Sequence, residues 1–374
     1  MKELLFNEGQ KIKDRLADIS EYIYHNPELG NQEFKAVEKL TAFLEEHHFV
    51  VEREFLNLKT AFRATYDSKK EGPTIGYLCE YDALPEIGHG CGHNMIGPMS
   101  VGAGVILSKV LDQVGGRIIV YGTPAEETDG AKVIFVENGV FDELDVAMMA
   151  HPSSETAKSG ESMALYPLQF TYKGKTAHAA ASPHEGINAL NSVIQLFNGI
   201  DALRQHVTPD VRMHGIITSG GVAANIVPDE AVAQFYFRAA TKETLEDVLE
   251  KVKKIAEGAA LMTGATLSME RYELPYDNLV TNENLSEAFT ENLKALGITD
   301  IKEKRPSGSS DIGNVSHITP TIHPYIGISD CHITGHSRAL ADATITPLGH
   351  ERLLVGALAL AYTGYDVLTH KVSL

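Results

Sequence analysis

The stretch GHGCGHN, residues 88–94, combines two histidines and a cysteine with three glycines. Thiolate and imidazole are side chains that Zn²⁺ prefers as ligands. The spacing of Cys91 and His93 lets both side chains face one ion, and Gly90 and Gly92 permit the tight backbone this requires. A flexible turn or an inert thiol is the ordinary explanation of such a stretch taken alone. It therefore predicts a metal site only if further ligands converge on it.

Further ligand-type residues follow other apolar, strand-like runs. In open α/β sheets, ligands bind at the carboxyl ends of the strands, so residues just after such runs are expected to meet. They are Glu80 and Asp82 after TIGYLC, Glu126 and Glu127 after RIIVYGTPA, His151 after LDVAMMA, and His332 and His336 after IHPYIGIS.

The adjacent pair Glu126 and Glu127 suggests a division of labour, although two adjacent glutamates more often lie in a solvated loop. One carboxylate can bind a metal ion while its neighbour takes a proton from the attacking water. The wide spacing of the other candidates argues against a structural zinc knuckle, which has paired, closely spaced ligands. The pattern therefore favours a catalytic centre.

Composition excludes several classes of partner. The 374 residues carry a formal net charge of −18, which repels nucleic acid and anionic lipid surfaces. Cys79, Cys91 and Cys331 are too few for a disulfide framework, which favours a reducing cytoplasm. The start MKELLFNEGQ has no apolar signal core, and LLVGALALAYTG is too short to span a bilayer and is expected to be a buried helix.

The order of predicted elements indicates two domains, one inserted into the other. Residues 1–164 begin with two amphipathic helices and continue with strands and helices in alternation, which predicts an α/β fold with a mostly parallel sheet. Residues 165–276 follow the order β-α-β-β-α-β of a ferredoxin-like α+β domain, with a helix expected over residues 182–207. Residues 277–374 return to the first domain.

The ordered motifs resemble those of metallopeptidase family 20, a family of di-metal hydrolases, and most closely its amidohydrolase branch. The resemblance covers nearly the whole chain and places the inserted segment where the family has its lid and dimerisation domain. The motifs are EYDALP, GHGCGHN, GTPAEE, AHP, GKTAHAA, GGVAANIVPD and SGSSDIGNVS.

Carried over to this sequence, the resemblance implies two divalent metal ions per subunit, zinc first and manganese as the alternative. Glu126 would act as general base, Asp82 would orient a ligand, and His178 would reach the site of a neighbouring subunit and stabilise the oxyanion. Among the late histidines, His336 fits the family pattern best, with His323 and His332 nearby. The implied metal ligands are Cys91 as the bridge, His93, Glu127, His151 and His336.

The resulting hypothesis is hydrolysis of an amide bond in a small N-acyl amino acid or dipeptide. Asn225 and Arg238 are candidates for binding the substrate carboxylate, and a homodimer or a dimer of dimers is expected. The alternative is a non-catalytic metal- or peptide-binding protein that kept the fold. A thiol-redox role for Cys91 lacks a resolving cysteine at short spacing.

Overall fold

The computed structural model describes residues 1–304 and 308–374, which form two compact units. The first unit comprises Met1–Glu161 and the described residues from Leu279 to Leu374 apart from Gly308 and Ser309. The second comprises Ser162–Asn278 with Gly308 and Ser309, so the segment 165–276 lies inside it. Ser307, the first residue of the SGSSDIGNVS motif, lies outside the described residues.

The first unit is built on a six-stranded sheet with the order β1-β2-β4-β3-β5-β11. The four strands from β4 to β11 run parallel, which confirms the mostly parallel sheet. The antiparallel edge formed by β1 and β2 was not predicted. A separate parallel pair joins β6 (His151–Ser153) to β12 (Tyr325–Gly327). The sheet strands are β1 (Val50–Arg53), β2 (Phe62–Asp67), β3 (Thr74–Cys79), β4 (Arg117–Gly122), β5 (Val146–Met148) and β11 (Thr321–Ile322).

Helix α3 packs on β3 and β4 of this sheet, and α1 and α10 lie against α3. Helix α3 is long and apolar enough to cross a membrane, but 94% of its most apolar window is buried inside the protein, as in a core helix. The run LLVGALALAYTG lies within α10 and is a buried helix, as predicted. The helices are α1 (Lys2–His25), α2 (Phe34–Glu46), α3 (His93–Val114), α4 (Ala131–Glu137), α7 (Glu283–Ala295), α8 (Ile312–Ser316), α9 (Arg338–Ala343) and α10 (Pro347–Leu368).

The second unit is an antiparallel four-stranded sheet with the order β10-β7-β9-β8, and both of its helices pack on it. Alternate residues of β9, among them Phe235 and Phe237, are buried with the helices in a second core. The predicted order β-α-β-β-α-β is confirmed. The elements are β7 (Ala164–Lys173), α5 (Ala189–Leu203), β8 (Arg212–Ser219), β9 (Glu230–Ala239), α6 (Lys242–Thr263) and β10 (Thr266–Glu270).

The helix expected over residues 182–207 is shorter than predicted. It begins at Ala189, because the Asn188 side chain accepts the backbone N–H of Asn191 and caps the helix there. Residues Pro183–Glu185 form a separate short 3₁₀ turn, and Arg204–His206 form another. Apolar periodicity alone therefore overestimated this helix at both ends.

Candidate active site

The carboxyl ends of three neighbouring parallel strands, β4, β3 and β5, meet at one edge of the main sheet. Glu80 and Asp82 follow β3, Glu126 and Glu127 follow β4, and His151 comes just after β5. The loop after β3 carries Cys91 and leads into α3, which begins at His93. This is the arrangement that the sequence predicts for the candidate ligands.

The turn between Cys91 and His93 requires glycine at position 92. Gly92 adopts φ +85° before the first residue of α3, a conformation that favours glycine. A Cβ atom there would also lie 2.4 Å from Cγ of Pro152, which follows His151. The close approach lets the cysteine loop pack directly against the strand that carries His151.

Cys91 belongs to two overlapping groups of potential metal ligands. Ligand atoms of Cys91, His93 and His151 all lie within 4.8 Å of one another, and so do those of Cys91, Glu127 and His336. The Sγ of Cys91 is 3.4 Å from Nε2 of His151, and Nε2 of His336 is 3.3 Å from Oε1 of Glu127. A thiolate shared in this way could bridge two ions.

Several of these atoms are buried without a hydrogen bond in the part of the chain that the structure describes. They include Nε2 of His93 and Oε1 of Glu127. Burial raises the pKa of the Cys91 thiol to about 12 and lowers the pKa of His151 to about 4. Buried polar atoms that lack partners cost free energy, and a cation among them would satisfy them. The donor set therefore fits a metal centre.

The hydrogen bonds of two histidines fix which ring nitrogen faces the other candidate ligands. Nδ1 of His151 lies 2.7 Å from the carbonyl oxygen of Pro152 and must donate to it, which leaves Nε2 with a lone pair near Cys91. Nδ1 of His93 lies 2.9 Å from Oδ1 of Asp82 in the same manner. In metal sites, hydrogen bonds of this kind to the nitrogen that does not bind metal orient the imidazole ligands.

Asp82 links the two loops that carry the candidate ligands. Its Oδ1 contacts His93, and its Oδ2 accepts the backbone N–H of Glu127 at 3.0 Å. Although burial raises the pKa of Asp82, the His93 imidazole and this N–H hold that pKa below its ordinary value. Asp82 is thus an ionised carboxylate that positions both neighbours.

Glu126 belongs to two overlapping groups of side chains. Ligand atoms of Glu126, His93 and Glu127 lie within 4.8 Å of one another, and so do those of Glu126, Glu80 and Asp311. The two groups also touch, because Oε2 of Glu80 lies 3.5 Å from Nε2 of His93. Burial, followed by the charges of Glu80 and Asp311, raises the pKa of Glu126 well above its ordinary value. A carboxyl group with a raised pKa can accept a proton and later return it.

The sequence interpretation missed a buried ion network next to Glu126. Nζ of Lys132 lies 2.6 Å from Oε1 of Glu80 and 2.6 Å from Oδ1 of Asp311, and all three side chains are buried. Although burial lowers the pKa of Lys132, the two carboxylates raise it above its ordinary value. The sequence could have indicated Glu80, which directly follows β3, and Asp311, which lies in the SGSSDIGNVS motif. It could not have indicated Lys132, which lies in the apolar stretch of α4.

The late histidines differ in their surroundings. His336 is the one in contact with Glu127, although its side chain is 58% exposed. His323 is buried with its ring 5.5 Å from that of His151, but it joins none of the ligand groups found among the described residues. His332 is exposed and lines a surface cleft with Ser154 and Asp330. The geometry thus favours His336 over the other two.

The remaining candidates lie in the second unit. His178 is exposed, and its Nδ1 accepts the backbone N–H groups of Ala180 and Ala181, so its Nε2 carries the proton. The carbonyl of Asn225 accepts the N–H of Ala179, which places Asn225 beside His178. Arg238 lies near the far end of β9, where its Nη1 donates to Ser309, so it is not brought together with the other two. The roles assigned to these three residues remain predictions.

Comparison with known proteins agrees with this fold and site. The family model of the peptidase dimerisation domain matches residues 167–262. The Xaa-Arg dipeptidase of Mus musculus is 39% identical over 95% of this chain and 86% of its own. One chain of the p-aminobenzoyl-glutamate hydrolase of Escherichia coli is 34% identical over 76% of this chain and 63% of its own. A dinuclear metal-binding peptidase of the M20 family from Bacillus subtilis has the same fold, with a TM-score of 0.71, 21% identity, and coverage of 96% of this chain and 99% of its own.

The fold and these relatives define a metal-dependent hydrolase of the dipeptidase and aminoacylase type. The chain belongs to metallopeptidase family 20, in its amidohydrolase branch. The alternative of a non-catalytic binding protein is not favoured, because these relatives are named as enzymes.

Proposed function

We propose that this protein is a dipeptidase that hydrolyses dipeptides with a basic C-terminal residue, using two divalent metal ions per subunit. The observation that carries the proposal is the pair of ligand groups that share Cys91, with Glu126 beside them. The choice of substrate is supported by the 39% identity to an Xaa-Arg dipeptidase. A net charge of −18 also favours the approach of a cationic substrate.

The donor set supports zinc as the metal. Cys91, His93, Glu127, His151 and His336 would hold the ions, and a thiolate with imidazoles suits zinc better than manganese, which prefers oxygen ligands. When bound, the ions polarise the substrate carbonyl and lower the pKa of water at the site.

Residues of this chain provide proton transfer, positioning of the ligands and stabilisation of the oxyanion. Glu126 accepts the proton of the attacking water and passes it to the leaving amine, a role supported by its raised pKa. Asp82 holds His93 and the Glu127 backbone in place. His178 can donate from Nε2 to the developing oxyanion, because its Nδ1 is already an acceptor.

The assembly is proposed to be a dimer formed through the second unit. Strand β8 is an edge strand of its sheet, and Ile216 and Ile217 on it are 64% and 45% exposed. Exposed apolar residues on an unpaired edge favour pairing with another chain. A cytoplasmic location is proposed from the three free cysteines.

A second candidate substrate class is aryl-acyl glutamates, which the 34% identity to a chain of p-aminobenzoyl-glutamate hydrolase supports. A panel with the zinc-loaded protein separates the two classes: alanyl-arginine, arginyl-alanine as its reversed control, alanyl-glutamate and aminobenzoyl-glutamate. We expect the highest kcat/KM for alanyl-arginine. Preference for aminobenzoyl-glutamate would favour the second class, and no turnover on any member would contradict both.

A further inference from the structure

The loop that carries Glu126 and Glu127 begins with a backbone conformation unusual for its residue. Ala125 has φ +60°, in the left-handed region that disfavours any residue with a Cβ atom. It is fully buried and directly precedes the two glutamates. Its carbonyl accepts N–H groups from Thr128 at 3.2 Å and Gly130 at 2.7 Å, which turns the loop back on itself. Such a conformation persists only where its surroundings hold it.

The remaining polar group of Ala125, its N–H, is held by a residue far away in sequence. Oε1 of Glu33 accepts it at 2.9 Å, and the Glu33 side chain is completely buried. Burial raises the pKa of Glu33 to about 7. Glu33 is the last residue of the segment NPELGNQE, which directly precedes α2. This segment contributes no residue to the candidate metal ligands or to the proposed proton transfer.

The rest of this segment contacts the same loops. A Cβ atom at Gly30 would lie 2.5 Å from Oγ1 of Thr128 and 2.9 Å from Cβ of Ala125, so glycine permits the close approach. Asn31 donates a short side-chain hydrogen bond to Asp129. The carbonyl of Glu28 accepts the N–H of Ala83 at 2.8 Å, next to Asp82. The segment thus touches both loops that carry candidate site residues.

From these contacts we infer that Glu33 is a positioning residue for the reaction. By accepting the Ala125 N–H, Glu33 holds the left-handed turn that aims Glu126 and Glu127 into the site. This inference rests on the proposed function for the roles of those two glutamates. The role depends on side-chain length, because an acceptor atom must lie within hydrogen-bond distance of the Ala125 N–H. It does not depend on the charge of the side chain.

Two substitutions at position 33 separate the effect of side-chain length from the effect of side-chain charge. Glu33→Gln keeps the side-chain length and an acceptor oxygen but removes the charge, whereas Glu33→Asp keeps the charge and withdraws the acceptor. We expect Glu33→Gln to keep kcat within about threefold of the unmodified protein. Glu33→Asp should lose about 10- to 100-fold in kcat with little change in KM, because a misplaced catalytic group causes a loss on this scale. Glu28→Ala is the matched control, because its carboxylate caps α2 at Lys35 and Ala36 without contacting the Glu126 loop, and should keep kcat within about twofold.

A second measurement does not depend on activity. Hydrogen exchange of the Ala125 amide should accelerate at least about tenfold in Glu33→Asp and stay near the wild-type rate in Glu33→Gln, because exchange reports local opening. If Glu33→Gln is as impaired as Glu33→Asp, or if Glu33→Asp keeps both its kcat and its amide protection, the inference is wrong. Loss of amide protection in Glu33→Asp without any change in kcat would confirm the contact and contradict the positioning role, whereas the proposed function is tested separately by turnover of the unmodified protein.

Discussion

Among single residues, Glu126 is shared by a group of candidate metal ligands and a group of buried acidic side chains. Asp82 holds the candidate ligands in place by contacting both His93 and Glu127. Lys132 neutralises Glu80 and Asp311, which would otherwise repel each other and Glu126. The lysine therefore holds two buried carboxylates in place next to Glu126.

Lys132→Met should destabilise the first unit strongly. Removing the ammonium leaves two buried carboxylates uncompensated, and breaking a buried ion pair in this way costs about 3–5 kcal/mol. Denaturant unfolding of the metal-free protein measures the change. The control is Lys251→Met, which removes an exposed pair with Asp247 and should cost less than about 0.5 kcal/mol. Equal effects of the two substitutions would contradict the structural role of Lys132.

His89, the first histidine of GHGCGHN, makes stability depend on pH. Burial lowers its pKa to about 3, whereas an unfolded histidine titrates near 6.5. Between these values the unfolded chain binds the proton and the folded chain does not, so stability is lost as the pH falls from about 6.5 toward 3. Each pH unit in this window should cost up to about 1.4 kcal/mol from His89 alone.

Replacing His89 by phenylalanine should flatten this dependence. The measurement is the unfolding free energy of the metal-free protein between pH 4 and 7, with His370→Phe at an exposed position near the C-terminus as the control. An unchanged slope in His89→Phe would show that other groups account for the acid sensitivity.

At the scale of elements, most of the arrangement could be predicted from the sequence, because apolar runs followed by polar residues mark the carboxyl ends of parallel strands. That rule predicts that Cys91, His93, Glu127 and His151 meet at one edge of the sheet, and the structure places them there. It could not find Lys132, because a buried lysine in an apolar helix shows no periodic or spacing signal. It also missed β2, and it missed β1, in which three of the four residues are exposed and no buried face marks a strand.

Helix packing can be tested with two helical glycines that differ in their surroundings. A Cβ atom at Gly349 in α10 would lie 2.5 Å from the carbonyl oxygens of Ala343 and Thr344, whereas one at Gly258 in α6 meets nothing within 4 Å. We expect Gly349→Ala to lower the unfolding free energy of its unit by about 1–3 kcal/mol, the usual cost of overpacking. Gly258→Ala should raise stability by about 0.5–1 kcal/mol. Denaturant unfolding measures both, and destabilisation by Gly258→Ala would contradict the open surroundings of that position.

In the whole molecule, the candidate site and the match to the dimerisation domain lie in different units. The first unit contains all the described groups of potential metal ligands, and the second contains the match to the peptidase dimerisation domain. The sequence indicated this division through the change from α/β alternation to the order β-α-β-β-α-β. It could not fix where His178 lies relative to the candidate site, because the role proposed for His178 would require a second chain.

The proposed dimer can be tested on strand β8. Ile216→Lys places a charge on the exposed edge strand, so we expect light scattering to detect a monomer at concentrations where the unmodified protein is a dimer. Leu261→Lys is the control, because Leu261 is 85% exposed on α6 and lines a surface pocket with Leu267 of β10, the strand at the opposite edge of the sheet from β8. If Ile216→Lys remains dimeric, the interface lies elsewhere.

The proposed mechanism requires Glu126 to transfer the proton while its neighbour Glu127 binds metal. It is tested most directly by Glu126→Gln and Glu127→Gln, with metal content and turnover of alanyl-arginine measured on the same samples. We predict that Glu126→Gln keeps its full metal content and loses at least about 100-fold in kcat, within the range that general acid–base catalysis contributes. Glu127→Gln should lose metal as well as turnover. Normal turnover by Glu126→Gln, or loss of its metal, would show that Glu126 does not have this role.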